Sequence, residues 1–149
     1  MPSADDRSPA NDFTYEELVE GHIVEQEYRI GPEMYETFLS LFPDRSPVHV
    51  DEAYARANGF RGLVMHGAIL NGFLSHFVGM RLPGRRSLEL AVDIRYLKPC
   101  YLGDEIRLQG TIAQKMDSRR VLVMDVIYHN RTQDVIVARA RVQAAIMNA

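Results

Sequence analysis

The chain has 149 residues, of which 46% are hydrophobic and 25% charged, a balance that fits one folded domain and excludes two full domains or a disordered polymer. Lys+Arg 17 against Asp+Glu 20 leaves a formal charge of -3, so no net basic field draws the protein to nucleic acid or anionic lipid. The single cysteine, Cys100, closes no disulfide within the chain, and the opening MPSADDRSPAND has acids and a proline where a signal peptide needs a basic start and an apolar run. A protein of the cytoplasm, with no membrane partner, is expected.

Residues 1–11, rich in Ser, Asp, Pro and Ala, read as a mobile tail, and residues 12–149 as the folded domain. A short first strand is expected over His22–Ile30, where apolar and polar residues alternate until Gly31-Pro32. Met34, Tyr35, Phe38, Leu39 and Phe42 then recur at helical spacing up to Pro43, giving an amphipathic helix that starts at Pro32. DEAYARAN, opened by Asp51 and closed by Asn58-Gly59, predicts a brief helix. The stretch Leu63–Val78 is apolar nearly all round, interrupted by His66, Asn71, Ser75 and His76, and predicts a helix buried on most sides. It is too short to cross a bilayer, which needs ~20 residues.

Four β-branched-rich runs follow, Leu88–Leu97, Glu105–Lys115, Arg120–Asn130 and Val135–Ile146. Turn residues at Lys98-Pro99, Gly103-Asp104, Asp117-Ser118 and Asn130-Arg131 separate them and favour an antiparallel meander. One apolar helix followed by a meander, without alternating βαβ units, predicts an α+β domain in which a sheet wraps the helix.

The densest cluster of reactive types is PDRSPVHVDEAYA, with Asp44, His49 and Asp51, followed by His66 and Gly67 at the head of the apolar helix. Pro47 between Asp44 and His49 argues for a constrained loop rather than a helix. A carboxylate and an imidazole facing one water can orient and deprotonate it. The alternative is structural: Asp44 caps a turn, and His49 hydrogen-bonds a carbonyl. Gly67 likewise has two readings. Amides in a first helical turn lack intrahelical partners and can hold a carbonyl oxygen that gains negative charge, whereas a glycine there can also serve only close packing.

His49, Asp51 and His66 compose a conceivable two-His, one-carboxylate metal set, but no H-x-H, H-E-x-x-H or cysteine cluster fixes its geometry, and no metal is expected. His76, His22 and His129 read as structural or solvated. Neither a G-x-G-x-x-G nor a G-x-x-x-x-G-K-[ST] fingerprint occurs, and Ser40, Ser46 and Ser75 lack a G-x-S-x-G context. Arg81, Arg85 and Arg86 flank Leu82-Pro83-Gly84, with Lys98 further on, a set that either binds phosphates of a small ligand or is simply solvated.

DRSPVHVD at 44–51 followed by FRGLVMHG at 60–67 resembles the signature of the MaoC-like, (R)-specific enoyl-CoA hydratases of the hot-dog fold, whose usual form is D-x-N-P-x-H-x-D and then I-x-H-G-M. The likeness continues through LPG at 82–84 and the L-x-P-x-x-x-G-D turn at 97–104. It implies a single hot-dog domain, a long buried helix wrapped by an antiparallel sheet, paired in a homodimer, acting on acyl-CoA or acyl-carrier-protein thioesters without metal or redox cofactor. The residues matching Asp44 and His49 would hold the water that adds across a trans-2-enoyl thioester, and the amide matching Gly67 would polarise its carbonyl. Ser46, His66, Ser75, Arg81, Arg85 and Lys98 are the expected substrate-binding positions. Ser46 stands where the family has asparagine, so a hydrogen bond supporting the loop is expected to be lost or taken by water. Ala68 in place of the family's methionine is expected to reshape the acyl pocket. The alternatives are a hot-dog thioesterase, a carrier-protein dehydratase or a non-catalytic thioester binder.

Overall fold

A computed structural model describes residues 8–148. The tail expected over residues 1–11 therefore lies mostly outside the described residues. Asn11 is tied down: its N–H donates to the Met80 carbonyl at 2.9 Å, its side-chain amide to the Arg81 carbonyl at 2.8 Å, and its own carbonyl accepts from Arg85.

Strand β1 (Ile23–Arg29) leads into helix α1 (Pro32–Leu41), the helical turn α2 (Pro47–Val50) and the short helix α3 (Glu52–Ala57). Helix α4 (Gly67–Met80) precedes the remaining strands, β2 (Ser87–Tyr96), β3 (Glu105–Met116), β4 (Val121–Asn130) and β5 (Val135–Ile146). Proline at the first helical position starts α1 and α2, where a missing N–H costs nothing. That proline effect converts the loop expected at Pro47–Val50 into one turn of helix. Asp51 caps α3 by accepting from the Tyr54 N–H at 3.0 Å.

The apolar helix begins later than its composition suggested. Residues 63–66 are extended, with Val64 bridging Tyr101 and the Met65 N–H on the Cys100 carbonyl, so the first helical residue is Gly67. Ile69, Leu70, Phe73, Leu74, Phe77 and Val78 of α4 are buried against the sheet, each fully buried side chain contributing roughly 2 kcal/mol. Gly110 in β3 makes this contact close, because a Cβ there would sit 2.5 Å from the Phe77 ring. The opposite face of α4, with Ala68, Asn71, Gly72 and Ser75, is exposed, so the helix is covered on one side rather than on most sides.

All strand pairs are antiparallel and the sheet order is β1-β3-β4-β5-β2. Only β3-β4-β5 is a meander; β2 lies at the far edge against β5, so the turn at 98–104 crosses from one side of the sheet to the other. A mixed domain with a helix against an antiparallel five-stranded sheet is the α+β architecture expected from the sequence. No helix among the described residues is long and apolar enough to cross a membrane.

Candidate active site

The loop before α2, the turn α2 itself and the head of α4 meet at one end of the molecule. The Pro47 turn carries His49, and the Tyr35 hydroxyl of α1 donates to the His49 carbonyl at 2.6 Å, tying the two elements together. Burial raises the Tyr35 phenol above its ordinary pKa, which keeps it a donor there.

His49 Nδ1 lies 2.7 Å from the Val64 carbonyl and His66 Nε2 lies 2.8 Å from the Asp44 carbonyl. A carbonyl only accepts, so these two nitrogens carry the protons, which fixes both tautomers. The other ring nitrogen of His49, Nε2, faces Asp44 Oδ2 at 3.8 Å. The His66 ring stacks on that of His49, centroids 3.9 Å apart, and its bare Nδ1 is buried without a hydrogen-bond partner.

Asp44 is exposed, and its other oxygen, Oδ1, accepts from the Ser46 hydroxyl at 2.6 Å and the Ser46 N–H at 3.1 Å. The hydroxyl first, then the N–H, hold the carboxyl below the usual carboxylate range, so Asp44 is anionic. The structural readings of the sequence thus hold in full: Asp44 does stabilise a turn and His49 does hydrogen-bond a carbonyl. They leave Oδ2 and Nε2 facing one another, which is what the catalytic reading needs. The supporting hydrogen bond expected to be lost at Ser46 is instead made, by its hydroxyl, to Asp44.

Beside the pair runs a cleft of about 580 Å³ lined by His49, Phe60, Val64, Met65, His66, Gly67, Ala68, Leu70, Tyr96, Leu97, Lys98, Pro99 and Cys100. Its lining is largely apolar, with His49 at one wall and the first turn of α4 at another. Over Gly67 lies the Tyr96 ring, whose hydroxyl donates to Asn71 Oδ1 at 2.8 Å. A Cβ on Gly67 would meet that ring at 3.0 Å, so the packing reading of this glycine also holds, alongside an amide at the N-terminus of a helix.

The wall formed by residues 97–100 is anchored by Asp104, which is almost wholly buried. Its Oδ2 accepts from Asn130 Nδ2 and Gln133 Nε2, each at 2.7 Å, and from the Tyr101 N–H at 2.8 Å, while Arg61 reaches Oδ1 at 3.4 Å. Cys100 beside it is buried, and burial first, then the Asp104 charge, push its thiol up to about 12. It is a packing residue rather than a nucleophile.

The remaining expected substrate-binding positions divide. His66 and Lys98 line the cleft. Ser75 lies two turns along α4 on its exposed face, outside the lining. Arg81 and Arg85 stand beyond the other end of α4, roughly 20 Å from Gly67 at 1.5 Å per helical residue. There Arg81 donates to Gln26 Oε1 at 2.7 Å and Arg85 to Asp12 Oδ2 at 3.3 Å, so the chain itself brings neither to the cleft. The metal set is recomposed as well: Asp51 is committed to its cap, and Asp44, His49 and His66 bring ligand atoms within 4.8 Å of one another. Stacked rings direct their in-plane lone pairs along near-parallel planes rather than onto one point. Tyr35 and Tyr96 are not expected from the sequence, since each reaches the site from a separate element and no local motif marks it; Asp104 lies in the recognised turn at 97–104, but its role as a buried anchor does not show there.

A helix laid on an antiparallel five-stranded sheet, with a carboxylate and an imidazole beside a largely apolar cleft at a helix N-terminus, places the chain in the hot-dog class. The family model for the MaoC like domain matches residues 16–133, and the chain belongs to that hydratase and dehydratase family. The (R)-specific enoyl-CoA hydratase of Rhodospirillum rubrum is 29% identical over 98 residues, covering 66% of this chain and 68% of that protein. That of Aeromonas caviae is 26% identical over 96 residues, covering 64% and 72%. Among solved structures, unliganded R-hydratase PhaJ1 from Pseudomonas aeruginosa has the same hot-dog fold, with a TM-score of 0.82, 24% identity, and coverage of 91% of this chain and 86% of that one.

Proposed function

We propose that the protein is a hydro-lyase that adds water to a trans-2-enoyl-CoA to give the (3R)-3-hydroxyacyl-CoA, and removes it in reverse. The observation that carries this is the 3.8 Å gap between Asp44 Oδ2 and His49 Nε2, two polar atoms that face one another without a direct hydrogen bond. A water placed between them can donate one hydrogen to each at about 2.8 Å, which leaves its own lone pair directed into the cleft. Its oxygen bonds to C3 of the enoyl group, one proton passes to the catalytic pair, and C2 of the resulting enolate takes up a proton, so the elements of one water are added.

Negative charge collects on the thioester oxygen during this step. Gly67 starts α4 and lines the cleft, and its amide, at the positive end of the helix, would hold that oxygen without a proton being consumed. No carboxylate lies on α4 where a thioesterase would carry one; Asn71 accepts from Tyr96 instead. The neighbouring strand edge and the exposed face of α4 fit a homodimer.

The test is direct. Purified protein mixed with crotonyl-CoA and a longer homologue should remove the enoyl-thioester absorbance, and the product should be the (3R) enantiomer. No absorbance change with any CoA thioester, against turnover of the carrier-protein thioester, would move the assignment to a carrier-protein dehydratase, as one relative from Arabidopsis thaliana is named. Inertness toward both would overturn it.

A further inference from the structure

We propose that Ser46 is a positioning residue for Asp44, fixing one carboxylate oxygen so that the other is held toward the reacting water; this rests on the hydration reading above. Ser46 occupies the N-cap of α2, a place where a serine side chain ordinarily accepts a backbone N–H of the first helical turn. Here it makes no cap bond. The hydroxyl turns the other way and donates to Asp44 Oδ1 at 2.6 Å, in the short range of O–H bonds to carboxylates, and the Ser46 N–H joins it on the same oxygen.

Two donors on one oxygen stop the rotation of an exposed carboxylate that would otherwise exchange Oδ1 and Oδ2. The backbone of Asp44 is held too, since its carbonyl accepts from His66 Nε2 at the entrance to α4. Oδ2 then has a single direction, toward His49 Nε2 at 3.8 Å. The charged or titratable groups facing Asp44 are His49 from α2 and His66 from the segment before α4, with the neutral Ser46 pair opposite. A carboxylate that is already satisfied by two donors remains an acceptor, which assigns it to orienting the water and leaves His49 Nε2 to receive the proton.

The experiment compares wild type with Ser46→Ala, which removes the hydroxyl and keeps the N–H, and Ser46→Thr, which keeps both. Turnover is followed on crotonyl-CoA, and the titration of Asp44 by carboxyl-carbon NMR, its resonance assigned with Asp44→Asn. Ser46→Ala is expected to lower kcat roughly ten-fold with KM little changed, and to move the Asp44 midpoint upward. Ser46→Thr should restore both. An alanine variant with wild-type kcat and an unmoved Asp44 midpoint overturns the proposal, as does a threonine variant that behaves like alanine. If the wild type hydrates no enoyl thioester, the hydration reading falls, and the titration still decides the coupling of Ser46 to Asp44.

Discussion

Asp44 and His49 each commit one atom to the scaffold and leave another facing its partner, Oδ2 toward Nε2, while Gly67 is both a packing position and the proposed oxyanion donor. Its missing Cβ makes room for the Tyr96 ring at 3.0 Å, and it lines the cleft at the first position of α4. Gly67→Ala alone therefore mixes steric displacement of Tyr96 with any effect on the oxyanion. In a Tyr96→Ala background the clash is gone. There, Gly67→Ala should leave binding of a saturated acyl-CoA unchanged if only packing mattered, and turnover should stay level with the background variant. The oxyanion donor itself is tested by Gly67→Pro in that background, which removes the N–H at a first helical position: turnover should then fall alone, by up to ~3 kcal/mol of transition-state binding.

Much of this centre was legible in the sequence because Asp44, Ser46, His49, His66 and Gly67 sit in two local motifs, where spacing alone brings them near one another. Ser75 is expected at the site from the resemblance, and Arg81 and Arg85 from their basic cluster, while all three follow Gly67 along the chain. A straight helix undoes that proximity, rotating Ser75 onto the exposed face and carrying the arginines to its far end. Tyr35 and Tyr96, and the partners of Asp104, escape the sequence for the opposite reason, since these contacts form only when separate elements pack.

At the scale of elements, the strands were legible to within a residue or two, because alternation and turn residues mark them locally. Their order was not. The position of β2 at the edge depends on pairing Val92 with Val142 and Ile94 with Ala140, contacts that no turn dictates. The crossing from β2 to β3 is held by Asp104, whose carboxylate collects Asn130, Gln133 and the Tyr101 N–H, with the Arg61 guanidinium stacked over the Tyr101 ring at 4.3 Å. This buried hub sets the cleft wall at 97–100. Asp104→Ala strands several buried donors and should cost on the order of 3 kcal/mol, lowering Tm by roughly 10 °C in a thermal melt. A melt within a degree or two of wild type would show that the hub is dispensable.

For the whole molecule, β2 is the unresolved surface. Leu88 is 54%, Leu90 53%, Val92 39% and Tyr96 49% exposed on a strand with one free edge, a combination that invites pairing. The neighbouring open face of α4 carries small side chains, Ala68, Gly72 and Ser75, that allow close approach. A second copy placed edge to edge on β2 would cover both. Light scattering should report twice 17.0 kDa, and Val92→Lys should shift the population toward the single chain. A wild-type mass near 17.0 kDa at working concentration would contradict the dimer.

Whether Asp44 and His49 hold one water between them is tested most directly by a double-mutant cycle on turnover of crotonyl-CoA. Asp44→Ala and His49→Ala should each lower kcat by on the order of 10² or more with circular dichroism unchanged, and the double variant should be little worse than either, because a shared water is lost once. Near-native turnover in either single variant, or effects that multiply in the double, would mean that the two residues do not act on the same water.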